Sequence, residues 1–142
     1  MSNLNAFLNQ HANRPQHTSF AVSPRFVDEE GQPVKWELRS LTQSESQKLK
    51  KECTKRVQVP GKKGIFTSET DIDDLLCKMA VACTVFPNLN DVTLQDSYQV
   101  MGAENLLQEM LLPGEYGNFM EKLQEINGFD ISMEDKVEEA KN

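Results

Sequence analysis

Between Asp71 and Pro87 the apolar residues Ile72, Leu75, Leu76, Met79, Ala80 and Cys83 recur at intervals of three and four. That spacing lines one face of an α-helix, and a chain carrying such a stripe must bury it. Ser68 or Thr70 is expected to cap this helix, with Asp71, Asp73 and Asp74 where the positive end of the helix dipole favours carboxylates. Pro87 is expected to end it. Thr93 and Asp96 then offer a capping box before a short Leu94–Val100 segment. A helix over Ala103–Leu112 turns Leu106, Leu107, Met110 and Leu111 inward. Pro113 breaks it and suits the first turn of the next helix, whose Tyr116, Phe119, Met120, Leu123 and Ile126 share a face. Gly128 is a natural left-handed stop, with Phe129 placed for an apolar contact behind it.

The N-terminal third reads differently. Val34, Trp36 and Leu38 alternate with Lys35, Glu37 and Arg39, the period of a strand with one wet face. Phe20, Val22 and Phe26 suggest a partner strand, interrupted by Pro24, and Asp28–Pro33 supplies turn chemistry between them. A two-stranded hairpin is marginal alone, so its apolar face is expected to rest on the helices. Thr42 and Glu45 form a capping box for a helix with a thin stripe of Leu49 and Cys53, extending to Val57, and a broad charged face. Pro60–Gly64 is a turn that could join Val57/Val59 to Ile65/Phe66 in a second short hairpin. The fold class expected is mainly α (α+β): a small helical domain with an N-terminal β-hairpin over residues 18–129. A flexible arm over 1–17 and an acidic flexible tail over 130–142 flank it.

No run of apolar residues approaches a membrane span and no secretory signal opens the chain, so a cytoplasmic protein is expected. Cys53, Cys77 and Cys83 are odd in number and lack zinc-ligand spacing, so reduced, buried thiols are expected. His11 and His17 both fall in the N-terminal arm, which cannot hold a catalytic base in place. No phosphate-cradling glycine loop is present, and helix-terminal electrostatics account for Asp71, Asp73 and Asp74 better than a metal does. No enzyme activity, cofactor or metal is therefore expected. Charge is lopsided: residues 1–63 carry +5 and residues 64–142 carry −12, for a net −7. The basic concentration is Lys48, Lys50, Lys51, Lys55, Arg56, Lys62 and Lys63, with Lys48, Lys51 and Lys55 expected on one helical face and Glu52–Arg56 as an i,i+4 pair. With no interleaved aromatic and an acidic whole, nucleic acid is not the expected partner. Met79, Met110 and Met120 read as core residues or as an adaptable groove for partner helices.

Two stretches are more specific. Val34-Lys35-Trp36-Glu37-Leu38-Arg39-Ser40-Leu41-Thr42 runs into a charged helix; Leu94–Gly102 leads into Leu106-Leu107-Gln108-Glu109-Met110-Leu111-Leu112-Pro113-Gly114-Glu115-Tyr116, and the last helix closes on Ile126-Asn127-Gly128-Phe129. This pattern resembles the XkdN-like tail assembly chaperones of phages and PBSX-type prophages. The resemblance implies a protein that binds the phage tape measure protein, keeps it soluble, helps recruit tail tube subunits, and is absent from the finished particle. Self-association is compatible with it. The expected partner-binding residues are Met110, Pro113, Gly114, Glu115, Tyr116 and Phe119, at the junction of the last two helices. The alternatives are a nucleic-acid-associated phage regulator using Lys48–Lys63 and a structural tail component.

Overall fold

The computed structural model describes residues 3–10, 12, 13 and 17–129. After a 3₁₀ turn at Asn3–Phe7 the chain runs through β1 (Thr18–Phe20), β2 (Trp36–Leu38), α1 (Gln43–Glu52), β3 (Thr54–Gln58) and β4 (Phe66–Thr70). It continues through α2 (Ile72–Cys83), β5 (Thr84–Phe86), α3 (Val92–Ser97), α4 (Ala103–Met110) and α5 (Pro113–Ile126). Among the described residues 45% are helical and 17% are in strands, so the class is α+β rather than mainly α.

The expected hairpin is present but belongs to a larger sheet. β1 and β2 pair antiparallel, Phe20 opposite Trp36, and β5 joins the far side of β2 to give the order β1-β2-β5. The strand is shorter than Phe20–Phe26 because Val22 and Ser23 leave the ladder and turn into the core. Asp28 closes the intervening loop by accepting the Glu30 and Gln32 N–H groups, 2.9 Å each. The alternation holds: Trp36 and Leu38 are buried and Glu37 is exposed. β5 corrects the expectation that α2 continues to Pro87. Thr84, Val85 and Phe86 are β-branched or aromatic, and Thr84 Oγ1 caps the Ala80 carbonyl at 2.7 Å as the helix stops.

α1 carries the Thr42/Glu45 capping box and ends at Cys53, not near Val57. The second hairpin forms instead, β3 on β4 with Thr54 opposite Thr70 and Gln58 opposite Phe66. Lys55 and Arg56 are therefore on a strand: Lys48, Lys51 and Lys55 do not share a helical face, and Glu52–Arg56 is not a helical pair. Because Ser68 and Thr70 are in β4, the cap of α2 passes to Asp71, which accepts the Asp74 N–H at 3.1 Å. Asp91, rather than Thr93, likewise caps α3. Ile72, expected inward, is 57% exposed at the first turn of α2. Pro113 opens α5 as expected. Gly128 ends it at φ +84° with the Gly128 and Phe129 N–H groups bonded back to Glu125 and Gln124, while the Phe129 side chain stays largely exposed.

One core joins these elements. Trp36 and Leu38 of the sheet meet Cys77, Ala80 and Cys83 of α2, Leu106 and Leu107 of α4, and Phe119 and Leu123 of α5. The Trp36 and Phe119 rings pack edge to face with centroids 5.5 Å apart. All three thiols are free and buried. The tail at 130–142, and Arg14 and His11 of the arm, lie outside the described residues.

Candidate partner-binding site

The break between α4 and α5 places two different constructions side by side. The first is a clamp. Pro113 directs the chain into α5, so Glu115 occupies the third helical position and its Oε1 accepts the Leu112 N–H at 2.8 Å. The same carboxylate takes Arg25 Nη2 at 2.6 Å and Nε at 3.2 Å, and a hydrogen bond from the buried Ser23 hydroxyl. Arg25 Nη2 also donates to the Met110 carbonyl at 2.8 Å. The Arg25 guanidinium, the Leu112 N–H and the Ser23 hydroxyl together hold the Glu115 carboxyl down at about 2, well below its usual range. Glu115 thus fastens the loop after β1 across the α4–α5 break.

The second is a groove of about 280 Å³ where α2, α4 and α5 meet, lined by Asp73, Leu76, Gln108, Leu111, Pro113 and Tyr116. Two of the lining side chains, through the Tyr116 hydroxyl and Gln108 Nε2, the latter at 3.6 Å, approach the buried Cys77 thiol. Burial, then the Cys77 group, pushes the Tyr116 hydroxyl up to about 12, so it stays a neutral phenol. Burial pushes the Cys77 thiol up as well, so it is a packed sulfur rather than a nucleophile. The walls are apolar, with a carboxylate and an amide at the rim, a surface suited to an amphipathic segment.

The six residues expected to bind a partner divide accordingly. Tyr116 forms a wall of the groove, Pro113 lines it, and Gly114 is exposed beside it. Glu115 is taken up by the clamp. Met110 and Phe119 are 5% and 0% exposed and belong to the core. Sequence reasoning did not single out Leu76, Leu111, Gln108 or Asp73 as site residues, nor Ser23 and Arg25. The Leu75–Leu76 doublet is the available signal, since two adjacent helical residues cannot both point at one core centre. A second hollow of about 440 Å³ lies between the β3–β4 hairpin and α2, lined by Cys53, Val57 and Ile72 with Lys55, Glu69, Asp71 and Asp73. Its lining mixes charges of both signs, so it lacks the continuous apolar wall of the groove. Among the described residues no three His, Cys, Asp or Glu side chains cluster as metal ligands. None of the described helices is long and apolar enough to cross a membrane.

Comparison with known proteins identifies the family. The family model described as phage XkdN-like tail assembly chaperone protein matches residues 4–141. The chain belongs to that family. The Bacillus subtilis protein YqbN, itself uncharacterised, is 35% identical over 122 residues, covering 85% of this chain and 80% of that one. The phage-like element PBSX protein XkdN of the same bacterium is 31% identical over 122 residues, covering 85% of this chain and 81% of its own. A crystal structure of the protein YqbN superimposes with a TM-score of 0.76 at 27% identity, covering 92% of this chain and 99% of that one. The family is one of phage tail assembly chaperones.

Proposed function

We propose that the chain binds the tape measure protein of its phage in the bacterial cytoplasm, keeps it soluble, and helps bring tail tube subunits to it without entering the finished particle. A tape measure protein is a long, helix-rich chain whose apolar stripes aggregate until the tube encloses them. The observation that carries the reading is the groove walled by Leu76, Leu111, Pro113 and Tyr116 in a member of the chaperone family. An amphipathic helix laid there would cover its stripe in the helix-in-groove mode and leave again when the tube assembles. Asp73 and Gln108 at the rim would favour segments carrying basic or amide groups beside the stripe.

The test is co-expression with a tape measure fragment. The wild-type chain should carry the fragment into the soluble fraction and co-purify with it. Gln108→Trp, at an exposed position of α4, fills the groove and should abolish co-purification while the circular dichroism spectrum is unchanged. Unaltered capture by that variant would remove the groove from the reading. Presence of the chain in purified particles would favour a structural tail component, and salt-dependent retention on DNA at physiological ionic strength the regulator.

A further inference from the structure

Ile72 belongs by spacing to the apolar stripe of α2, yet it is 57% exposed and lines the 440 Å³ hollow with Val57, half-buried on β3. On the helix it stands one turn before Leu76, which lines the groove. Asp73, three residues before Leu76, lines both the hollow and the groove. Its carboxylate lies near enough to the Tyr116 phenol to disfavour ionisation there. The two depressions therefore meet across the first turn of α2. Val57 and Ile72 stand on one side of Asp73, and Leu76, Leu111 and Tyr116 on the other.

Charge along this track is unbalanced. Glu69, Asp71 and Asp73 line the hollow against Lys55, and among the described residues none of the three carboxylates has a cation within 4 Å. Asp74, by contrast, has Lys78 at 3.9 Å. Lys55 stands opposite Glu69 across the hairpin, which leaves Asp71 and Asp73 uncompensated. The positive end of the α2 dipole amounts to roughly half a charge, less than those two carboxylates supply. Asp71 is engaged in the cap, accepting the Asp74 N–H at 3.1 Å, so Asp73 is the carboxylate placed to meet a partner's cation. A lysine or arginine there would gain a charge-assisted hydrogen bond while its stem lies along Ile72 or Leu76.

We infer that the groove and the hollow form one binding track whose occupant is a basic amphipathic helix of a partner protein. A Lys or Arg of that helix sits on Asp73, and its apolar stripe runs on past Leu76 to Ile72 and Val57, so the β3–β4 hairpin is part of the interface. This rests on the reading of the groove as a helix-binding site, but not on which tail protein supplies the helix. Two labelled peptides of about five helical turns, sharing one leucine stripe but flanked by lysines in one and glutamates in the other, test it by fluorescence anisotropy against the full chain. The lysine peptide should bind at least about tenfold more tightly, the scale of one hydrogen bond to a charged group. Asp73→Asn, isosteric and outside the cap, should remove most of that preference. Ile72→Ala, at an exposed position, should weaken the lysine peptide about fivefold through lost apolar contact. Benzoylphenylalanine replacing Ile72 should photo-cross-link the lysine peptide, and the same group replacing Lys50 on α1 should not. Equal affinity for the two peptides, a preference untouched by Asp73→Asn, or no binding of the lysine peptide would overturn the proposal. Full binding by Ile72→Ala with no cross-link from position 72 would overturn the extension onto the hairpin. A chain that selects the lysine peptide but leaves a tape measure fragment insoluble keeps the track and removes the tape measure reading. Capture of the fragment undiminished in both Asp73→Asn and Ile72→Ala does the reverse.

Discussion

Asn127→Ala removes a side chain that makes three bonds, and its cost can be worked from them. Asn127 Oδ1 accepts the Leu41 N–H at 2.7 Å; Nδ2 donates to the Leu123 carbonyl at 2.7 Å and approaches Cys83 Sγ at 3.5 Å. Orphaning a buried N–H costs about 1–3 kcal/mol, and Leu41 is only half-buried, which puts its share near 1–1.5 kcal/mol. The Leu123 carbonyl keeps the Asn127 N–H at 3.1 Å, so losing its second donor adds about 0.5 kcal/mol. The expected total is about 2 kcal/mol, or a fall in Tm of roughly 6–8 °C for a chain of this size. Urea unfolding followed by fluorescence suits the measurement, because Trp36 is the sole tryptophan and is 2% exposed. Hydrogen exchange at the Leu41 amide should accelerate in the variant beyond the change in global stability. A loss below about 0.5 kcal/mol, or a Leu41 amide still protected, would refute the account of why Asn-Gly ends α5.

Phe119→Ala should destabilise by about 3–5 kcal/mol, as expected for emptying a fully buried aromatic site, and Phe119→Leu by much less. Capture of a tape measure fragment should follow stability in both variants; loss of capture by the Leu variant at unchanged Tm would return Phe119 to the binding surface. Acid sensitivity should trace in part to the clamp. Glu115 titrates at about 2 when folded against 4.5 ordinarily, so its contribution is present above about pH 4.5 and drains away as pH falls toward 2. The urea midpoint of the wild type should therefore drop between pH 5 and 2, and that of Glu115→Gln should start lower and drop less. Glu45, held at about 2 by Arg39 and the Thr42 N–H, keeps a residual slope in the variant.

Much of the fold was legible where the signal is local. Pro113 at the head of α5, Gly128 behind it and the Thr42/Glu45 box each need only a few neighbouring residues to be read, and each is present. β5 was not legible, because Thr84-Val85-Phe86 continues the apolar run of α2 and becomes a strand only when β2 offers an open edge. The shift of the α2 cap from Thr70 to Asp71 has the same origin: Thr70 is claimed by Thr54 across the second hairpin, with hydroxyls 2.9 Å apart. At the groove, Pro113 and Tyr116 could be found from their unusual run. Leu76 and Leu111 could not, since their place in the groove lining depends on how α2 lies against the α4–α5 break. Glu115 shows the limit most sharply. No feature of Pro113-Gly114-Glu115-Tyr116 reveals that the carboxylate's partner stands 90 residues earlier at Arg25.

The sheet order β1-β2-β5 and the Asn127 bond bear on how the chain is made. β2 emerges from the ribosome with only one neighbour, and its other edge stays open until Thr84–Phe86 has been synthesised. Leu41 waits longer, for an acceptor 86 residues downstream. At about 5–20 residues per second that interval is roughly 4–17 s. The groove needs α2, α4 and α5 together, so it too is missing from any nascent chain that has not completed α5. A product released early would present an open strand edge and no completed groove. On the proposed reading of the groove, such a fragment is something for proteases to clear, not a weaker working copy of the chaperone.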